Sequence, residues 1–201
     1  MVTIKIYIEG EGEGKDMDIR FREAWTRFFK SAGLTGRMPK PIRGKGRAHT
    51  FDLFSTAIQN GQIDTMPLLL LDSEEKMISD QGVWQHLKAL DGWEKPTKST
   101  ENHAYLMVQV METWFLADLP ALQNYFGSKF KISKIPAWTD LESQPKQSVF
   151  GALSKATSAC NEKRYAKGKI SFEILGKINP ILVQQKCSQA KRLFDFLATK
   201  I

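Results

Sequence analysis

The chain has 201 residues, 42% hydrophobic and 25% charged, with a formal net charge of +7. That length supports one well-packed core with an extension rather than two full domains, and the composition is that of an ordinary globular protein, with nothing that argues for disorder. The longest apolar run, Pro67 to Leu71, is far too short to cross a membrane, and Cys160 and Cys187 form neither a CxxC pair nor a disulfide framework, so a reducing cytoplasm with no signal peptide ahead of Thr3 is the expected setting.

Thr3-Ile4-Lys5-Ile6-Tyr7-Ile8 alternates in its early positions and predicts a strand that ends at Glu9-Gly10. An acidic glycine turn, Gly10 to Gly14, leads into a helix from about Asp16 to Ser31. Its inward side is expected to carry Ile19, Ala24, Trp25 and Phe28 or Phe29, and Gly33 ends it. Met38 to Arg43 can form a second strand, which Pro39 and Pro41 confine to an edge or an extended arm. A helix from about Thr50 to Asn60 leads through Gly61 to Met66-Pro67-Leu68-Leu69-Leu70-Leu71. This run is almost continuously apolar, as befits a strand covered on both faces, and it ends in Asp72-Ser73-Glu74. Such a β-α-β-α-β order favours a parallel sheet with right-handed crossovers.

A short helix around Val83 to Leu90 follows, then a polar stretch from Asp91 to Asn102. A strand-like run from Ala104 to Val110 leads into Met111 to Asp118, and Asp118 reads as the N-cap of the next helix. The remainder reads as helices separated by a Pro-rich loop near Ile135 to Pro145, the last helix opening with Pro180. The expected organisation is an α/β core over residues 1–118 and a helical C-terminal part, 119–201, packed on it.

Two strands that both finish in carboxylates suggest one acidic site, because ligands of open α/β sheets gather at the carboxyl ends of neighbouring strands. Hard oxygen ligands of this kind suit Mg²⁺ or Mn²⁺ rather than zinc. Glu9 can bind a metal or act as general acid or base, and Gly10 leaves room for close approach. Strand alternation would put Asp72 and Glu74 on one side, about 7 Å apart at their Cα atoms, although the same acids could instead cap a helix. Glu112 is an acid in apolar company and needs a metal or a cationic partner if it is buried. The histidines His49, His86 and His103 have no zinc-ligand spacing, and His86 reads as a helix surface or edge. Neither a Walker A sequence nor GxGxxG is present. Arg37, Lys40, Arg43, Lys45 and Arg47 form one basic cluster and Lys163, Arg164, Lys167 and Lys169 another. Each could track a phosphate backbone, the bland alternative being a solvated loop or helix face.

At these residues the chain resembles the Toprim fold, the catalytic domain of topoisomerases, primases and overcoming-lysogenisation-defect nucleases. That pattern has Glu-Gly after a first strand and Asp-x-Asp after a later one, matched here by Glu9-Gly10 and Asp72-Ser73-Glu74, with Glu replacing the second Asp. A closer resemblance, spanning nearly the whole chain, is to a Toprim-related bacterial family of unknown function that often accompanies ATPases of the ABC/AAA type in defence-like gene pairs. It rests on IYIEG at Ile6, LLDSE at Leu70, MVQVMETWFLAD at Met107 and YAKGKISFEIL at Tyr165. The resemblance implies a Rossmann-like, mostly parallel sheet flanked by helices. It further implies that Glu9, Asp72, Glu74 and Glu112 hold Mg²⁺ or Mn²⁺, and that Lys167, with Lys169 next, contacts phosphate. The activity it implies is phosphodiester cleavage in DNA or RNA by the effector of an ATPase-coupled system. The runner-up is a non-catalytic binding partner of the ATPase; a topoisomerase- or primase-like activity ranks last, for want of a nucleophilic tyrosine placed by motif. No membrane partner is expected, and a homo-oligomer is compatible with the sequence.

Overall fold

The structure, a computed structural model, describes residues 2–10, 12–36, 38–61, 63–78 and 80–200. Its strands are β1 (Thr3–Gly10), β2 (Lys40–Lys45), β3 (Thr65–Asp72) and β4 (Ala104–Met107). Between them run the helices α1 (Lys15–Ser31), α2 (Arg47–Asn60) and α3 (Val83–Asp91). After β4 come α4 (Glu112–Phe115), α5 (Leu119–Phe126), α6 (Lys146–Ala156), α7 (Lys169–Leu175), α8 (Pro180–Lys186) and α9 (Ser188–Lys200).

All pairings are parallel and the strand order is β2-β1-β3-β4. The chain leaves β1 in one direction to make β2, returns past β1 to make β3, and continues outward to β4. Strand alternation splits the sheet residues between two faces. Ile4, Ile6, Ile8, Leu68, Leu70, Tyr105 and Met107 pack with α1 and the C-terminal helices in one apolar cluster. Tyr7, Leu69, Leu71, Ala104, Leu106 and Val108 pack with Phe54 of α2 and Trp84 of α3 in a second cluster. Helices on both faces explain why the β3 run is apolar at every position from Leu68 to Leu71.

The C-terminal helices share the α1-side cluster with the sheet. Its centre is aromatic: Trp114 stacks on Phe28 at 5.6 Å and meets Trp25 edge-on at 6.0 Å, while Phe194 of α9 meets Phe28 at 5.8 Å. Such pairs add about 0.5–1.5 kcal/mol each beyond the area they bury. At the β4 edge, Arg192 of α9 donates to the Ala104 carbonyl at 3.1 Å, which covers a strand edge that would otherwise be open.

Several sequence expectations change in detail. Ile19 is 49% exposed, and the buried stripe of α1 is Phe21, Ala24, Trp25, Phe28 and Phe29. At 3.6 residues per turn Ile19 lies roughly 200° around the helix from Phe21, off that stripe. β2 begins at Lys40, beyond Pro39, and does lie at a sheet edge. β4 stops at Met107 rather than Val110. The last helix is two, because Cys187 is extended (φ −129°, ψ 105°) between α8 and α9. Asp118 caps α5, accepting from the Ala121 N–H at 3.1 Å, and its other oxygen accepts from the Asn179 N–H at 2.8 Å. Glu11, in the acidic turn, lies outside the described residues.

Candidate functional site

The order β2-β1-β3-β4 makes β1 and β3 adjacent strands whose outgoing connections run to opposite sides. A crevice therefore opens beyond their carboxyl ends, the usual binding position in this fold class. Glu9-Gly10 ends β1, and Asp72 ends β3. A cavity of about 50 Å³ lies there, lined by Glu9, Gly10, Asp72, Glu74, Met107, Met111, Glu112, Lys167, Gly168, Ser171 and Phe172. That exceeds the roughly 10–15 Å³ a cavity needs to admit one water, and is room for a water or two or for a small ion. The four acids and the lysine singled out in the sequence thus share one small cavity.

Each acid is held differently. Asp72 Oδ1 accepts the Met111 N–H at 2.8 Å, which fixes the turn from β4 into α4 against the end of β3. Glu112, buried at the start of α4, accepts hydrogen bonds from the Tyr165 hydroxyl and, at 3.3 Å, from Ser171 Oγ. Glu9 lies 3.7 Å from the Arg47 guanidinium. Glu74 does not continue the strand alternation: β3 ends two residues earlier and Glu74 has φ 63°, a left-handed turn. Its N–H donates to the Gln109 carbonyl at 2.8 Å, and its carboxylate is ion-paired with Lys146.

The intervening loop is anchored by His86. Contrary to the surface position expected for it, this residue is buried, with Nε2 2.8 Å from the Ser73 carbonyl oxygen. Gly10 is also explained locally, since a Cβ there would come within 2.9 Å of Arg43 Cγ; the space beside β1 is occupied by the Arg43 side chain.

The electrostatics follow from crowding like charges where little water reaches. Burial, then the charges of Glu112 and Glu9, push the Asp72 carboxyl well above the ordinary carboxylate range; Lys167 opposes this and Glu74 adds to it. Burial likewise raises Glu112, against the pull of the Tyr165 hydrogen bond, the Lys167 charge and the Ser171 hydrogen bond. Burial and the neighbouring Glu112 push Tyr165 far up. Its hydroxyl is therefore a proton-bearing donor that orients Glu112, and a poor nucleophile.

The basic residues divide. Arg47 is a strap: it pairs with both oxygens of Asp91 at 2.7 and 2.8 Å and donates to the Asp72 carbonyl at 2.5 Å. Arg43 is paired with Asp18 at 2.5 Å and donates to the Gly12 carbonyl. These two arginines of the Arg37–Arg47 cluster are thus engaged with carboxylates of the chain itself. Lys40 and Lys45 are exposed on the edge strand β2, and Arg37 lies outside the described residues. Lys167 lines the cavity with its ammonium 4.9 Å above the Phe150 ring, and Lys169 lies 4.0 Å from Glu173 in the first turn of α7. Tyr165, Ser171, Gln109 and Lys146 went unread as site residues. Tyr165 and Ser171 lie in the very segment prized for its lysines, and the placement of Lys146 has no local sequence signal.

Among the described residues, no three Asp, Glu, His or Cys side chains converge into a ready-made cation cage. The donor chemistry nevertheless fits a hard divalent ion: four acids line one cavity, and the repulsion that Asp72 feels from Glu112, Glu9 and Glu74 is what a cation relieves. Among the same residues, no helix is long and apolar enough to cross a membrane.

No curated protein and no solved structure matches the chain. Residues 8–198 match a family described as a domain of unknown function, DUF4276, and this span takes in both strand-end motifs, α4 and α7. The chain belongs to the DUF4276 family.

Proposed function

We propose that this protein is a Mg²⁺- or Mn²⁺-dependent nuclease that hydrolyses a phosphodiester in DNA or RNA, working as the effector of an ATPase-coupled system. The observation that carries the reading is the convergence of Glu9, Asp72, Glu74, Glu112 and Lys167 on one cavity at the β1/β3 crevice. The Toprim relationship and the ATPase partner rest on the motif resemblance alone.

Glu9 and Asp72 at the strand tips would hold the ion, with Glu112 and Glu74 completing the acidic wall. When bound, the ion supplies neutralisation of phosphate charge and a more acidic water. The remaining work falls to the chain. Tyr165 and Ser171 fix the Glu112 carboxylate in one orientation, and the Met111 N–H does the same for Asp72. Lys167, the cation facing Asp72 and Glu112, is placed to take a phosphate oxygen and to offset the charge that develops on it. Glu9 is the acid suited to accept the proton of the attacking water. The exposed Lys40 and Lys45 and the Lys163–Lys169 segment would carry the flanking backbone, giving an affinity that falls as salt rises.

A cleavage assay on plasmid DNA and bulk tRNA, with Mn²⁺ or with EDTA, tests this. Cleavage by wild type that EDTA and Asp72→Asn both abolish is expected. A variant that cleaves like wild type contradicts the reading. A second reading, a non-catalytic docking partner of the ATPase, draws on the engaged state of Glu112 and Glu74. It predicts no cleavage with or without the ATPase, and retained ATPase binding in Asp72→Asn.

A further inference from the structure

We propose that the groove beside the acidic cavity is a nucleoside subsite, which takes the base next to the cleaved phosphodiester and favours a carbonyl-bearing base over adenine. The inference rests on the nuclease reading above and adds the part of the substrate for which the cavity has no room.

The two spaces adjoin, because Glu74 lines both the cavity of about 50 Å³ and a groove of about 570 Å³. The first suits a water or an ion; the second falls within the roughly 300–1,000 Å³ usual for small-molecule sites. A phosphodiester drawn to the mouth of the cavity leaves a flanking nucleoside within reach of the groove. The charge of the groove speaks against a backbone track. Among the described residues, three cations and three acids line it, and two pairs are closed: Arg47 with Asp91 at 2.7 Å, and Lys146 with Glu74. A balanced wall offers a polyanion little. Leu90 and the amides of Gln109 and Gln147 instead suit a neutral ring with polar edges.

Gln109 sets the preference. It is only 5% exposed, and its backbone is fixed beside the acidic cavity, the carbonyl accepting the Glu74 N–H at 2.8 Å. Its side-chain Oε1 accepts the Lys146 N–H at 3.3 Å, and because that N–H needs an acceptor, the amide cannot turn over. The amide nitrogen donates to no group among the described residues and is not sealed from solvent, so it opens on the groove that Gln109 lines. With the oxygen committed, the side chain offers a ligand only N–H donors. A donor matches O6 and N7 of guanine, or O4 of uracil or thymine, and meets another donor in the amino group of adenine.

The test is proton–nitrogen NMR of the full chain in EDTA, titrated separately with inosine, adenosine and inorganic phosphate. Inosine carries a carbonyl where adenosine carries an amino group. Inosine is expected to shift the Gln109 side-chain amide signals and to bind about 5-fold tighter than adenosine, and phosphate to leave those signals in place. Gln109→Glu keeps an acceptor for the Lys146 N–H and replaces the donor by an acceptor, so it is expected to remove or reverse the preference. Gln147→Trp fills the groove from the exposed first turn of α6 and is expected to abolish binding of both nucleosides. Equal affinities, no shift with either nucleoside, or a shift that phosphate alone reproduces overturns the inference. The readout needs neither metal nor cleavage, so the two readings fail separately. Cleavage without nucleoside binding removes the groove alone; nucleoside binding by a chain that cleaves nothing removes the nuclease and leaves the groove as a nucleoside site.

Discussion

Asp72 accepts a backbone N–H while Glu112, Glu9 and Glu74 crowd its charge. In the metal-free protein that crowding is a liability, and Asn keeps the Oδ1 acceptor while removing the charge. Metal-free Asp72→Asn is therefore expected to melt about 2–4 °C above wild type, near 1 kcal/mol for a domain of this size, and to lose the stabilisation that Mn²⁺ gives. Calorimetry checks both effects, and a lower melting temperature would count against the account. Tyr165 acts through Glu112, so Tyr165→Phe is expected to weaken Mn²⁺ binding about 10–100-fold with unchanged circular dichroism. An effect on stability with no effect on Mn²⁺ affinity would make Tyr165 merely structural. At this scale the strand-tip acids were legible, because an apolar run that stops at a carboxylate marks the end of a buried strand. Their partners were not: Tyr165 stands 53 positions from Glu112 and Lys146 stands 72 from Glu74. No local period links residues so far apart.

Among the elements, the Arg47 strap does the joining. Starting from α2, it binds Asp91 at the end of α3 and the Asp72 carbonyl at the end of β3, and it lies beside Glu9 of β1. Removing one partner of such a pair strands the other charge, so Arg47→Ala is expected to cost about 3 kcal/mol in urea denaturation. Arg47→Lys is expected to recover less than half of that, because an ammonium cannot reproduce the fork on Asp91. Full recovery by Lys would reduce Arg47 to a point charge. In the sequence Arg47 sat among basic residues and read as one of a track; only the return of α3 beside it reveals Asp91 as its partner. β2 was legible as an edge strand from its prolines, and α1 from its aromatic spacing. Ile19 was misplaced because apolar character alone says nothing of angle around the helix.

For the whole molecule, the sheet order decides what the acids can do together. With β1 beside β3, two strand ends that are 63 residues apart in sequence become neighbours at one crevice, and α4 and the turn leading into α7 bring Glu112 and Lys167 to it. A β-α-β pattern and an apolar β3 made the parallel sheet legible. The packing of the C-terminal helices onto the α1 face was not, because their apolar positions fit many partners. The raised Asp72 and Glu112 carboxyls have a consequence for the folded state as a whole. Between the ordinary carboxylate value of about 4 and their displaced values, the native protein binds more protons than the unfolded chain, so these two groups make stability fall as pH rises. A divalent ion replaces those protons. Mn²⁺ is accordingly expected to raise the melting temperature more at pH about 7.5 than at pH about 5, and the stability that metal-free protein gains on going to the lower pH is expected to be smaller in Asp72→Asn than in wild type. An equal Mn²⁺ effect at both pH values would place the ion elsewhere.

The most direct measurement is anomalous diffraction from crystals grown with Mn²⁺. The account expects a peak inside the cavity, at bonding distance from carboxylate oxygens of Glu9 and Asp72. A well-ordered cavity with no peak, or a peak bound by residues elsewhere on the chain, would contradict it.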